Sequence, residues 1–243
     1  VVAAPEPDRR LSPISTLLPT PPTCWLSILT ATTKAGPTGG GRRRRNRRHL
    51  DDVGFLVALA AKLVHDFDIA PGHVFATGMS NGGFMSNRLA CDRADIFAAV
   101  APVAGTLGVG VTCNPSRPVS VLEAHGTADP LVPFNGGAVR GRGGLSHSIS
   151  VASLVDRWRA VDGCQGDPSA AELPDVGDGT MVHLFDSSSC AAGTEVISYQ
   201  IDNGGHTWPG GRQYLPKAVI GATTRAFDGS QVIAQFFATH GRD

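Results

Sequence analysis

Three residues stand at positions that suit acyl transfer through a covalent intermediate. Ser80 lies in Gly78-Met79-Ser80-Asn81-Gly82, Asp129 in His125-Gly126-Thr127-Ala128-Asp129-Pro130, and His206 in the glycine-rich run Gly204 to Gly211. A serine hydroxyl is a weak nucleophile at neutral pH, so it needs a sharp, exposed turn and an imidazole that can take its proton. A carboxylate behind that imidazole fixes its tautomer and stabilises the imidazolium. The chain order Ser, Asp, His is the one used when the serine sits on a strand–turn–helix elbow. Gly78, Gly82 and Gly83 are small enough to permit such a turn.

Rivals for each role are weaker. His65, His73, His147 and His240 read as surface or core residues, and His183 lacks a loop comparable to that of His206. Asp175, Asp178 and Asp186 have the right order for the acid but fall in low-complexity loop sequence, whereas Asp129 follows an apolar run. The backbone amide of Asn81 supplies one donor to a developing oxyanion. A second donor normally comes from the loop after an earlier strand, and residues 1–50 offer no strand followed by a His-Gly turn.

These residues require elements to hold them. Val53, Leu56, Val57, Ala60, Leu63, Val64 and Phe67 recur at helical spacing behind Asp51 and Asp52, which complement a helix N-terminus. Pro71-Gly72 breaks the pattern, and His73 to Thr77 reads as a buried strand running into Gly78. Asn81 to Cys91 returns to helical character. Further strands are expected over 98–104, 119–124 and 195–201, with helices over 149–161 and 230–239. Strands alternating with helices predict an α/β fold, a mostly parallel sheet with helices on both faces.

The 243 residues suit one α/β domain, and 21 basic against 21 acidic residues give no overall charge to attract nucleic acid or a membrane. Residues 1–50 differ in texture: they are rich in Pro, Gly and Arg, lack periodicity, and end in the arginine run Arg42 to Arg48. This segment reads as an atypical, poorly ordered stretch, and residues 51–243 as the catalytic domain. The arginine run reads as a solvated tail in preference to a nucleic-acid arm, because no aromatic residues are interleaved with it. The start lacks the regions of a signal peptide. Cys24, Cys91, Cys113, Cys164 and Cys190 show no Cys-x-x-Cys spacing, which leaves buried thiols or disulfides.

Taken together, Asp51-Asp52-Val53-Gly54-Phe55, Gly78 to Gly83, Ala101-Pro102-Val103-Ala104-Gly105, His125 to Pro130 and Gly204 to Gly211 resemble a secreted esterase family. This family comprises the polyhydroxybutyrate depolymerases and the related feruloyl and acetylxylan esterases. The resemblance extends over most of residues 51–243 and implies an α/β-hydrolase fold with Ser80, Asp129 and His206 as nucleophile, acid and base. It further implies disulfides pairing Cys91 with Cys113 and Cys164 with Cys190, and an extracellular protein whose leader is absent from this chain. Residues 1–50 do not resemble the family, whose opening strands are missing or aberrant here. The abrupt change near Asp51 suggests that this segment was read in a shifted frame.

The expectation is therefore a serine carboxylester hydrolase, a monomer needing no metal or organic cofactor, with neither nucleic acid nor membrane as partner. Its substrate would be a hydroxyalkanoate polyester or a feruloyl or acetyl ester of the plant cell wall. Met79 and Trp208 are candidates to line the substrate pocket, and Trp208 reads equally as a packed core tryptophan. The alternatives are an aromatic polyester hydrolase, and a binding derivative of the same fold that has lost catalysis.

Overall fold

The structure, a computed structural model, describes residues 2–3, 51–141 and 144–242. The expectations for the proline-, glycine- and arginine-rich segment otherwise lie outside the described residues. Where none of residues 1–50 was given an element, Val2–Ala3 forms a short strand, β1, pairing antiparallel with the open edge of the next strand.

The first helix, α1 (Asp52–Phe67), starts as its sequence requires: Asp51 caps it by accepting from the Gly54 amide at 2.8 Å. It ends at Asp68, which adopts a left-handed conformation. Strand β2 (Val74–Met79) leads directly into α2 (Asn81–Asp92), with Ser80 alone between them. Then follow β3 (Ala99–Val103), β4 (Ser120–Gly126), a hairpin of β5 (Gly137–Gly141) and β6 (Gly144–Ser148), and α3 (Val151–Val161). Strands β7 (Ser169–Glu172), β8 (Met181–Ser187) and β9 (Val196–Asp202) precede the short α4 (Lys217–Ile220) and the closing α5 (Gly229–Thr239).

The main sheet has seven strands in the order β1-β2-β3-β4-β9-β8-β7. Its centre, β2-β3-β4-β9, is parallel, so these strands present their C-terminal ends along one edge. Antiparallel pairs flank it, β1 on one side and β8 with β7 on the other. The antiparallel flank was not expected. It also places Asp186 within β8, paired with Ile197, and not in a loop.

Each face of the sheet is covered. On one, Val74, Ala76, Val100, Val121 and Val196 pack with Ala60 of α1, Leu89 of α2, and Leu154 and Trp158 of α3. On the other, Phe75, Ala99, Ala101, Leu122 and Ala124 pack with Ile233, Phe236 and Phe237 of α5. The alternation of neighbouring residues between the two clusters is the period-two pattern of strands buried on both faces. The resulting core holds the strand ends that carry the site.

The structure joins Cys91 to Cys113 and Cys164 to Cys190 as disulfides, the pairing that the resemblance implied. The first ties the end of α2 to the segment between β3 and β4. The second ties the chain after α3 to that before β9.

Candidate active site

Ser80 occupies the single residue between β2 and α2, with φ 58° and ψ −117°. Such a conformation is costly for a residue with a side chain, and it persists where the surroundings over-determine it. Three contacts do so here. The Ser80 amide donates to Val103 O at 2.9 Å, and Ser80 O accepts from the Phe84 amide at 3.0 Å. A methyl group added at Gly83 would come within 2.9 Å of Val103 O, so α2 can approach the end of β3 only because residue 83 is glycine. The serine hydroxyl makes no capping bond to α2.

The helix α2 has no acidic residue in its first turn. Its N-terminal amides, among them that of Asn81, have no intrahelical acceptor, and the helix dipole adds positive potential beside Ser80. An anion forming on an acyl group bound to Ser80 would meet that potential.

The residues expected as acid and base come from neighbouring strands. Asp129 follows β4, and His206 follows β9, its parallel partner. The loops leaving these strands are sewn together by the amides of Thr127 and Ala128, which donate to Ile201 O and Gly204 O, each at 2.9 Å. Their backbones approach so closely at Gly126 and Gly204 that a side-chain carbon on Gly126 would collide with the Gly204 carbonyl. Across this seam His206 Nδ1 lies 2.7 Å from Asp129 Oδ2, with both side chains buried. The other carboxylate oxygen, Oδ1, accepts from the amides of Leu131 and Val132, each at 2.8 Å. The bond through Nδ1 leaves Nε2 of His206 as the nitrogen that can take a proton.

Residues with no assigned role in the sequence complete the support. The Tyr214 hydroxyl donates to His206 O at 2.9 Å, and the His206 amide donates to Ile220 O at 2.6 Å. Burial, and then the charge of Asp129, raise the pKa of Tyr214, so its hydroxyl stays a donor. Beneath Asp129, His125 places Nε2 at 2.9 Å from Val132 O and 3.5 Å from Asp129 Oδ2, while its Nδ1 lies 3.1 Å from Glu123 Oε1. Glu123 and His125 are both fully buried. Burial pushes the Glu123 carboxyl up to about 7 in spite of His125. Burial opposes charge on His125, yet the bond to Glu123 and that carboxyl's field outweigh it and raise the imidazole. The signal for this pair was an acidic residue inside the mostly apolar run 119–124.

The proposed pocket residues are less simple. Met79 ends β2 and packs against the core on the α5 side. Trp208 packs on the same cluster, and its indole N–H donates to Ser230 Oγ at 3.0 Å, which fastens the His206 loop to the start of α5. That contact gives Trp208 a definite structural task. Asp175 and Asp178 lie in the loop before β8, where they accept from nearby backbone amides. His183 on β8 pairs with Glu172 and Asp202, away from Asp129.

Comparison with known proteins agrees with the fold. The sequence profile of the "Prolyl oligopeptidase family" matches residues 40–113. "Putative esterase NocK" of Nocardia uniformis subsp. tsuyamanensis is 34% identical over 199 residues, covering 76% of this chain and 56% of that protein. "Feruloyl esterase B" of Piromyces equi is 32% identical over 161 residues, covering 64% and 29%. "Feruloyl esterase C" of Emericella nidulans is 33% identical over 157 residues, covering 64% and 50%. The chain thus spans about half the length of most of these relatives, and less of the Piromyces protein. A solved acetyl xylan esterase from Aspergillus awamori superposes with a TM-score of 0.41 at 11% identity, over 61% of this chain and 60% of that one. By its sheet topology and its sequence relatives, the chain has the α/β-hydrolase fold, and the relatives that it resembles bear the name of esterases.

Proposed function

We propose that the chain is a serine carboxylester hydrolase working through an acyl-enzyme. The observation that carries this reading is the 2.7 Å bond between His206 Nδ1 and Asp129 Oδ2, on the same sheet edge as the strained elbow of Ser80. In this reading Ser80 Oγ attacks the ester carbonyl while His206 Nε2 takes its proton. The Asn81 amide stabilises the oxyanion, and the proton then passes from His206 to the departing alcohol. Water repeats the sequence on the acyl-enzyme and frees the acid.

Feruloyl or acetyl esters of the plant cell wall are the first substrate class, because relatives bearing the name feruloyl esterase match 64% of this chain. Hydroxyalkanoate and aromatic polyesters are the next. Two disulfides fit an oxidising compartment, and we place the protein outside the cell, as a monomer without metal or organic cofactor.

The test is hydrolysis of para-nitrophenyl acetate and butyrate by the full chain and by Ser80→Ala, with circular dichroism to confirm folding. The variant should lose activity by about 10⁴-fold or more. A folded parent that is inert on every ester would instead favour the binding derivative.

A further inference from the structure

The buried pair beneath Asp129 has no part in the mechanism so far. Alternation along β4 sets Glu123 and His125 on the face of Val121, under the layer containing α3. That layer turns the apolar side chains of Val151, Leu154 and Trp158 inward. The His125 ring meets Glu123 from its own strand, Asp129 from the following loop, the edge of the Phe134 ring, and the Val132 carbonyl. Beyond Asp129 lie His206 and the Tyr214 hydroxyl. No other charged group lies within ion-pairing distance of the ring among the described residues.

With Glu123 ionised, both ring nitrogens of His125 face oxygens that accept, and two carboxylates flank one imidazole. Only the imidazolium donates from both nitrogens at once. Glu123 Oε2 has no hydrogen-bond partner among the described residues, so the neighbouring imidazolium is the main compensation for a Glu123 charge. Each member of the pair holds the other's charge. The result is an alternating series: Glu123 negative, His125 positive, Asp129 negative, and then His206.

We propose that His125, held as an imidazolium by Glu123, is a positioning residue that braces Asp129 from inside the sheet and aims its carboxylate at His206. The proposal rests on Asp129 and His206 serving as acid and base in the reading above. Its physical content is simple. A positive charge beside Asp129 Oδ2 attracts that oxygen, which is thereby held between two imidazoles. The same contact holds Oδ2 on the line to Nδ1.

The first measurement uses the wild-type full chain, with nitrogen-15 in its histidines and the ring signals read at about pH 7. Two protonated ring nitrogens on His125 are expected; one bare nitrogen overturns the proposal. The second uses Glu123→Gln, which keeps the size and hydrogen-bonding capacity of the side chain but cannot hold the imidazolium. Both kcat on para-nitrophenyl butyrate and kcat/KM should fall by about tenfold while KM stays in place. His125→Gln should move them the same way and serves if Glu123→Gln does not fold. A folded variant with neither value moved overturns the proposal, since a merely structural role would alter stability and leave kcat in place. If Ser80→Ala retains esterase activity, the serine mechanism fails, while the His125 ring signals still report on the buried pair.

Discussion

At Asp129 the two carboxylate oxygens have separate tasks. Oδ1 is fixed by the amides of Leu131 and Val132, and Oδ2 faces His206 with His125 at its flank. Asp129→Asn preserves the shape and can keep the two amide bonds, but its amide group would drive His206 toward the wrong tautomer. We expect kcat on para-nitrophenyl butyrate to fall by about 10⁴-fold with the fold intact; a loss of less than tenfold would remove Asp129 from the proposed role. At this scale the sequence was partly legible. Ser80, Asp129 and His206 lie within motifs whose glycines mark tight turns. Glu123 and Tyr214 carry no such mark, because their importance comes from which strand and loop lie beside them.

Among the elements, α2 depends most on its neighbours. Asn87, fully buried, accepts from the Trp158 indole at 3.0 Å and reaches Gly105 O at 3.1 Å and Thr106 O at 3.3 Å, locking the helix behind Ser80 to α3 and to the end of β3. The helix start has a sharp asymmetry. Gly83→Ala would push against the Val103 carbonyl and should cost about 2 kcal/mol while displacing the elbow. A methyl at Gly82 meets nothing within 4 Å, so Gly82→Ala should change stability by less than about 0.5 kcal/mol. Urea unfolding of the two variants, together with their activity, separates these outcomes. Equal costs would show that the glycines of the elbow serve backbone freedom alone.

The junction of α3 with β4 has its own pH dependence. Asp162, buried beyond the end of α3, accepts from the Val119 amide at 2.9 Å, and burial pushes its carboxyl up to about 7 against that bond. The folded state thus binds the proton more tightly than the unfolded chain. Its contribution is fully present at low pH and is lost as pH rises from about 4 through about 7. Asp162→Asn should remove this slope: between about pH 5 and pH 8, wild type should lose about 2 kcal/mol more than the variant. Parallel urea titrations at the two pH values measure it, and equal losses would place the Asp162 proton elsewhere.

Across the whole molecule, legibility followed the kind of pairing. The parallel centre was readable because β2, β3 and β4 carry apolar runs, β9 alternates β-branched and aromatic residues, and helices of clear periodicity stand before β2, after β2 and after β4. The antiparallel additions were not. All four residues of β7 are exposed, and β8 interleaves Asp186 and His183 with apolar residues, so neither shows a buried face. The β5–β6 hairpin is similarly rich in glycine and serine. These strands are set by partners distant in sequence, which a local pattern does not encode.

The seam between Gly126 and Gly204 gives the molecule two arms. Asp129 and His206 are bound to each other through their loops, whereas Ser80 stands between β2 and α2 and connects to them by way of β3. Thermal fluctuation would therefore leave the Asp129–His206 bond nearly constant and act chiefly on the gap from Ser80 to the imidazole. Turnover would then be gated by a single distance, and small cosolvents that loosen α2 would slow catalysis well before any loss of secondary structure.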